Sequence, residues 1–357
     1  MKEIFCRRHL GARKCLDSIL QRWTWLLAQF VFLGVAIYLL GLISEGTRAL
    51  HGQDVSPPQE QKSNSPNGDA EIQGEFRGST IRIRTTQRLA GAIDSIEWNG
   101  KEFIDSYDHG RQLQSASSFD AGQNAPFWSE RFNPTEAGSS RDGVGNQSTS
   151  KLLHIEVEPH RLRTKIEAAF WLAPGESSGG FSAVNQTERS NHIIAKDVQI
   201  GLESNGHRLP NVIDYRVTFQ VPADESHQFA QFEALTGYMP PEFTEFWGFH
   251  VDSHKLVPLD DGPGEQSMPL VFSTPSGDFA MGCLCAKHAS QDSKDIRGPG
   301  YGRFRFLEEK VVKWNCVFRV SKTDGIDAGD YSFRIFVPIG TREDVRLAIQ
   351  HLVLNQP

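Results

Sequence analysis

The chain is predicted to be all-β over most of its length, a large antiparallel β-sandwich of two packed sheets. Three observations agree on this. Residues alternate apolar and polar at a period of 2 from about residue 75 onward. Turn residues punctuate the runs: Pro174-Gly175, Asn205-Gly206, Pro275-Ser276-Gly277 and Asp327-Ala328-Gly329. Only one helix is convincing, at the C-terminal end.

The clearest strand is VIDYRVTFQV (212–221). Ile213, Tyr215, Val217, Phe219 and Val221 point one way, and Asp214, Arg216, Thr218 and Gln220 the other. Such alternation marks a sheet with one buried and one wet face. STIRIRT (79–85), KLLHIEVE (151–158) and TKIEAAFWL (164–172) read similarly, and further strands are predicted at 193–203, 228–235, 269–274, 278–286, 301–307, 310–320 and 330–338. About twelve or more strands without an internal repeat fit two packed sheets, although a closed barrel has the same period. Thr341 followed by Asp344 is a capping box, and Val345, Ala348, Ile349 and Leu352 give a short helix an apolar stripe.

The N-terminal part reads differently. Trp25–Ile43 is 19 residues without a charge, long enough to cross a bilayer as a helix. Residues 1–23 hold six basic residues (Lys2, Arg7, Arg8, Arg13, Lys14, Arg22) against Glu3 and Asp17, a net of +4. A basic flank stays in the cytoplasm, so the remainder is expected outside it. A cleaved secretory signal is the rival reading. The expected organisation is a cytoplasmic basic segment (1–23), a transmembrane signal-anchor helix (24–44), a disordered linker (45–74, with SPPQEQKSNSPNG) and an exported sandwich (75–357). That places the bulk of the chain in the periplasm or at the cell surface.

With the whole chain at −7, everything beyond the basic flank carries −11, which argues against a nucleic-acid partner. Cys283, Cys285 and Cys316 lie on the exported side, each in a period-2 run of apolar neighbours, and read as core thiols, with a bridge from Cys316 to Cys283 or Cys285 as the alternative. There is no GxxxxGK[ST], HExxH or EF-hand loop, so no cofactor and no metal are expected. Gly175-Glu-Ser-Ser-Gly179 matches G-x-S-x-G, but the loop-like sequence after it is wrong for a nucleophile elbow.

The polar, aromatic stretch Trp98–Asp142 lacks lasting periodicity and reads as an ordered functional loop system. In Tyr107-Asp108-His109-Gly110-Arg111, a phenol, an imidazole and a guanidinium can move a proton and hold a sugar hydroxyl or an anion. Trp128 and Asn133 are binding candidates in the same stretch, and Glu136 is a candidate acid/base carboxylate. Farther on, Glu233, Tyr238, Trp247 and His250 mix rings with polar groups, as a sugar pocket does. Glu265, after Asp260-Asp-Gly-Pro-Gly, supplies a further carboxylate.

The hairpin-like opening GAIDSIEWNGKEFID (91–105) resembles the first hairpin of galactose mutarotase-like proteins. The resemblance implies a mutarotase-like supersandwich, a carbohydrate ligand, and sugar-contacting positions filled by an early Arg and His, a mid-chain His and a late Glu. Arg111 and His109 match the early pair and Glu265 the late acid; His250 is the mid-chain candidate, without a matching motif. The expected function is acid/base chemistry on a sugar or polysaccharide, of epimerase, lyase or hydrolase type, with His109, Glu136 and Glu265 catalytic. A non-catalytic glycan-binding or envelope-scaffold domain is the alternative.

Overall fold

The structure, a computed structural model, describes residues 66–122, 126–286 and 295–355. The expected anchor at 24–44 lies outside them. Among the described residues, no helix is long and apolar enough to cross a membrane.

In chain order the strands are β1 (Ala70–Phe76), β2 (Ser79–Thr85), β3 (Ile93–Trp98), β4 (Lys101–Glu102), β5 (Leu113–Phe119), β6 (Pro134–Thr135) and β7 (Lys151–Glu158). Next come β8 (Arg161–Phe170), β9 (Ser177–Ser178), β10 (Phe181–Ser182), β11 (Arg189–Ser204), β12 (His207–Val221), β13 (Phe229–Met239) and β14 (Glu245–His250). Then follow β15 (Lys255–Pro258), β16 (Gly264–Gln266), β17 (Leu270–Ser273), β18 (Ala280–Cys285), β19 (Ile296–Phe306), β20 (Val311–Ser321) and β21 (Gly329–Gly340), and helix α1 (Arg342–Leu354) closes the fold.

Antiparallel pairing traces two sheets. The first runs β1-β2-β3-β5-β13-β20-β19-β16. The second runs β7-β8-β11-β12-β21-β18-β17-β14-β15. Short β6 pairs with both β5 and β8 and joins the sheets at one corner. The apolar faces meet, as the alternation predicts: Phe219 of the second sheet packs on Phe232 of the first at 5.1 Å, and Phe333 on Phe318 at 4.4 Å. Deleting one such ring costs about 3–5 kcal/mol. Cys283 and Cys285 on one sheet and Cys316 on the other are buried.

The domain begins earlier than the expected boundary. AEIQGEF, assigned mostly to the linker, is β1, folded back on β2 through Arg77-Gly78, both at positive φ. The Asn99-Gly100 hairpin is present between β3 and β4, again with both residues at positive φ.

The outer faces of the two sheets differ. Helix α1, capped by Thr341 and Asp344, lays Val345, Ala348, Ile349 and Leu352 over Phe249, Val271, Leu284 and Phe336 of the second sheet. The predicted wet face of β12 is therefore partly covered, and Asp214 is buried under a two-pronged bond from Arg334 at 2.8 and 2.9 Å. The outward face of β13, β20, β19 and β16 in the first sheet carries the charged groups described next.

Candidate active site

The site is built on an interruption of the β-period. Between Glu233 and Leu235 the register of β13 against β20 shifts, and its pairing with β5 skips from Glu233 to Thr236. Ala234 and Leu235 are both buried, so Glu233 and Thr236, three residues apart, emerge on the same outward face. A β-bulge re-aims side chains in this way and recurs beside active sites.

Opposite pairs then form rows across the sheet. Tyr238 faces Lys313, Thr236 faces Asn315, and Gln231 faces Arg319. On the next strand, Gly302 lies opposite Asn315 and Gly300 opposite Val317. A Cβ on Gly300 would stand 2.2 Å from the Glu265 carboxylate, and one on Gly302 would stand 2.2 Å from Asn315 Oδ1. Glycine at these two positions leaves room for both polar groups.

At the centre, Thr236 Oγ1 donates to Glu233 Oε2 at 2.6 Å, and Lys313 Nζ sits 3.5 Å from the same oxygen. Burial pushes the Glu233 carboxyl up, but Lys313 and the bonds from Thr236 and Asn315 outweigh it, and its pKa lies below the ordinary value. Burial works against the Lys313 charge, yet Glu233 and Tyr238 hold its pKa above normal. The Tyr238 phenol is pushed up, chiefly by burial.

Glu130 lies within electrostatic reach of this group. Burial raises its pKa, and the Glu233 charge adds to the rise, against the Ser178 hydroxyl and Lys313. Among the described residues, its Oε2 is buried without a hydrogen-bond partner. The wall around it is aromatic. Trp128 stacks on Phe181 at 5.1 Å, and its Nε1 donates to Ser178 Oγ at 3.4 Å. Gly179, at φ +55°, lets the β9–β10 hairpin sit against the Trp128 ring, where a Cβ would stand 2.3 Å away. The G-x-S-x-G match thus supplies a wall, with no helix after its serine. Farther along the face, Arg319 grips Glu265 with two bonds of 2.7 Å and donates to Gln231 at 2.9 Å.

The sequence-derived candidates divide into three groups. Glu233, Tyr238 and Glu265 lie on the outward face, with Trp128 in its wall. Asn133 follows the wall's turn and is spent on structure, donating to Ser117 O at 2.6 Å. The Tyr107–Arg111 loop reaches the rim: Arg111 donates to Glu309 O at 3.3 Å in the β19–β20 turn, pairs with Asp108 at 3.3 Å and lies over the exposed Tyr107 ring at 5.3 Å.

His109 and Glu136 require correction, because neither reaches the outward face. Each is 1% exposed. The ring nitrogens of His109 are both taken by backbone carbonyls, Gly143 O at 2.8 Å and Arg88 O at 2.9 Å, which ties two loops together. Glu136 lies between the sheets, ion-paired with buried Lys196 and bonded by Ser115 N at 3.0 Å. His109, Glu136 and Glu265 therefore share no hollow. Trp247 and His250 belong to the other sheet. Trp247 lines a groove of about 850 Å³ beside α1, under Arg342 at 4.7 Å, and His250 accepts from Ser253 in an exposed turn. That groove shares no lining residue with the Glu233 cluster.

Sequence reasoning missed Lys313, Asn315 and Arg319 as a set and gave Glu130 no role. The signal for the first three was present: in KVVKWNCVFRV they alternate with the core residues Trp314, Cys316 and Phe318.

No family model matches the chain, and no curated protein matches it. Solved structures of similar plan include an alpha-mannosidase from Enterococcus faecalis V583, at 10% identity over 82% of this chain and 32% of that one, with a TM-score of 0.44. The Slr1438 protein from Synechocystis sp. PCC 6803 is 9% identical over 78% of this chain and 98% of that one, with a TM-score of 0.40. A candidate mutarotase (YeaD) from Salmonella typhimurium is 9% identical over 76% of this chain and 94% of that one, with a TM-score of 0.30.

Proposed function

We propose that the outward face of β13 and β20 is a carbohydrate site that performs acid/base chemistry, with Glu130 as proton donor and Glu233 as the ionised partner. One arrangement carries this: the β-bulge brings Glu233 and Thr236 to the outward face beside Lys313 and Tyr238, and the buried Oε2 of Glu130, within electrostatic reach of Glu233, has no hydrogen-bond partner among the described residues. The pKa directions, Glu130 raised by burial and Glu233 lowered by Lys313 and its hydrogen bonds against burial, support the acid and base roles given to them. Protonated Glu130 gives its proton to a ring or glycosidic oxygen. Glu233 receives one from a hydroxyl, a water or a carbon acid. Lys313 offsets negative charge that develops nearby, and Tyr238, Thr236 and Asn315 hold hydroxyls. The stacked Trp128–Phe181 pair offers an apolar surface to a sugar face. Ring opening, β-elimination from a uronic acid and glycoside hydrolysis all use this arrangement.

The test is product analysis by NMR on a panel of mono- and oligosaccharides, uronic-acid sugars included, with the full-length chain. Turnover that disappears in folded Glu130→Gln and Glu233→Gln supports the reading; undiminished turnover in both removes it.

A second reading is a non-catalytic glycan-binding domain. It is favoured by the satisfied state of Glu233, whose partners Thr236, Asn315 and Lys313 are already in place. It expects binding without product, and a larger loss from Trp128→Ala than from Glu233→Gln. For both readings the proposed location is outside the cytoplasm, tethered by Trp25–Ile43. Protease protection in sealed membrane vesicles tests the tether, and a chain that stays in the soluble fraction with its N terminus intact would exclude it.

A further inference from the structure

Three side chains with metal-ligand chemistry, none of them used above, meet behind Phe132. His192 stands near the start of β11, and Glu225 and His227 in the connection from β12 to β13. Their ligand atoms all lie within 4.8 Å of one another. Both Nε2 atoms address a single oxygen, Glu225 Oε2, at 2.6 Å from His192 and 2.8 Å from His227.

From this convergence we infer that His192, Glu225 and His227 form a binding site for a divalent first-row transition cation, zinc foremost. Two imidazoles and one carboxylate are a zinc set with a fourth position left for water. Imidazole donors disfavour calcium and magnesium, which take oxygen ligands. Ligand atoms around a tetrahedral ion with ~2.0–2.1 Å bonds stand roughly 3.3 Å apart. The Glu225 oxygen must therefore back away by a little over half an ångström. It is free to do so, because Glu225 lies in a connecting loop with its side chain 18% exposed.

The histidines cannot yield as easily. The side chains of His192 and His227 are 2% and 3% exposed. Both rings pack on Phe119, at 4.8 and 4.5 Å, and on Phe132, at 6.0 and 5.3 Å. The cation would enter from the Glu225 side, between two rings whose ligand nitrogens stand within 4.8 Å of each other.

The inference has a consequence for the wall of the proposed sugar site. Phe132 ends the turn Ser129–Phe132, which also carries Glu130. An ion that locks the two histidines would brace that turn without touching substrate.

The test uses the full-length chain without a polyhistidine tag, stripped with a chelator and titrated with zinc sulfate alone. The expected result is one saturable equivalent per chain by calorimetry and elemental analysis, with a rise in Tm. Glu225→Gln and the pair His192→Asn with His227→Asn should each weaken binding at least tenfold. His207→Asn, which disrupts the separate His207–His351 pair at 5.1 Å, should leave it unchanged. Should the double variant unfold, cobalt absorption of the wild-type chain still decides, because four-coordinate nitrogen/oxygen ligation gives strong visible bands. No saturable equivalent in the wild type, or full stoichiometry in the folded double variant, would overturn the site and leave a hydrogen-bonded trio.

Discussion

The protein contains the same three residue types twice, in two different settings. Glu136, Lys196 and Tyr215 meet between the sheets, and Glu233, Lys313 and Tyr238 meet on the outward face of the first sheet. The inner trio is sealed. Lys196 donates to Gly91 O at 2.7 Å as well as to Glu136, and Ser115 bonds both Glu136, through its N–H, and Tyr215, whose OH lies 2.8 Å from Ser115 Oγ. Burial raises the Tyr215 pKa well above normal, with the Glu136 charge adding to it. The outer trio keeps access: the Glu233 and Lys313 side chains are 18% and 16% exposed, and Glu130 stands beside them. Identical chemistry thus becomes a structural clamp in one place and a candidate reaction centre in the other. What decides is the face of the sheet, together with a neighbouring carboxyl, Glu130, whose pKa burial raises.

The largest expected difference is in stability. Lys196→Met leaves Glu136 as an unpaired charge inside the sandwich and should cost about 3–5 kcal/mol in denaturant unfolding, much of it recovered in the double variant with Glu136→Gln. Glu233→Gln should cost about 1 kcal/mol or less, because water reaches Lys313. Equal costs for the two would erase the distinction between the trios.

Activity should divide the other way. Glu233→Gln is expected to lower kcat/KM by about 100- to 10,000-fold on whichever sugar of the panel is turned over, whereas a folded Glu136→Gln, Lys196→Met protein keeps most of its activity. The wild-type pH–rate profile should be bell-shaped. Its acid limb lies below the ordinary carboxylate range, where Glu233 gains a proton, and its alkaline limb lies above that range, where Glu130 loses one. Glu130→Gln should cost about 100-fold and abolish the alkaline limb, and an unchanged limb in that variant would detach Glu130 from the chemistry.

The two trios also mark what the sequence disclosed. The strands, the capped helix and the Asn99-Gly100 hairpin follow from period, capping chemistry and the demand for positive φ, all local properties. Glu233, Tyr238 and Glu265 were legible as polar groups among aromatic ones. The role given to Glu136 was not tenable from local sequence, because its partner Lys196 lies 60 residues away and only the pairing of distant strands seals the two together. The bulge at Ala234–Leu235 was equally hidden, since strict alternation would send Glu233 and Thr236 to opposite faces. His192 and Glu225, separated by 33 residues, escaped a search for short metal motifs for the same reason.

The smallest expected effect lies outside both trios and checks the electrostatic reasoning itself. Burial, with Glu102 nearby, lifts the Asp94 carboxyl to about 6 against its own backbone bond, Arg88 and Arg84. The folded state therefore binds this proton more tightly than the unfolded chain, and the resulting stability is present below about pH 4 and is lost as pH rises through 6. Asp94→Asn should stabilise the protein by about 1 kcal/mol at pH 7 after allowance for solvent screening, and by nothing measurable at pH 4.

The most direct measurement of the central claim is sugar turnover by full-length wild-type and Glu233→Gln proteins, followed by NMR on the same carbohydrate panel, with folding checked by circular dichroism. A product formed by the wild type and absent from the folded variant is the predicted result. Turnover that survives Glu233→Gln undiminished, or a wild-type chain that neither converts nor binds any sugar on the panel, would contradict it.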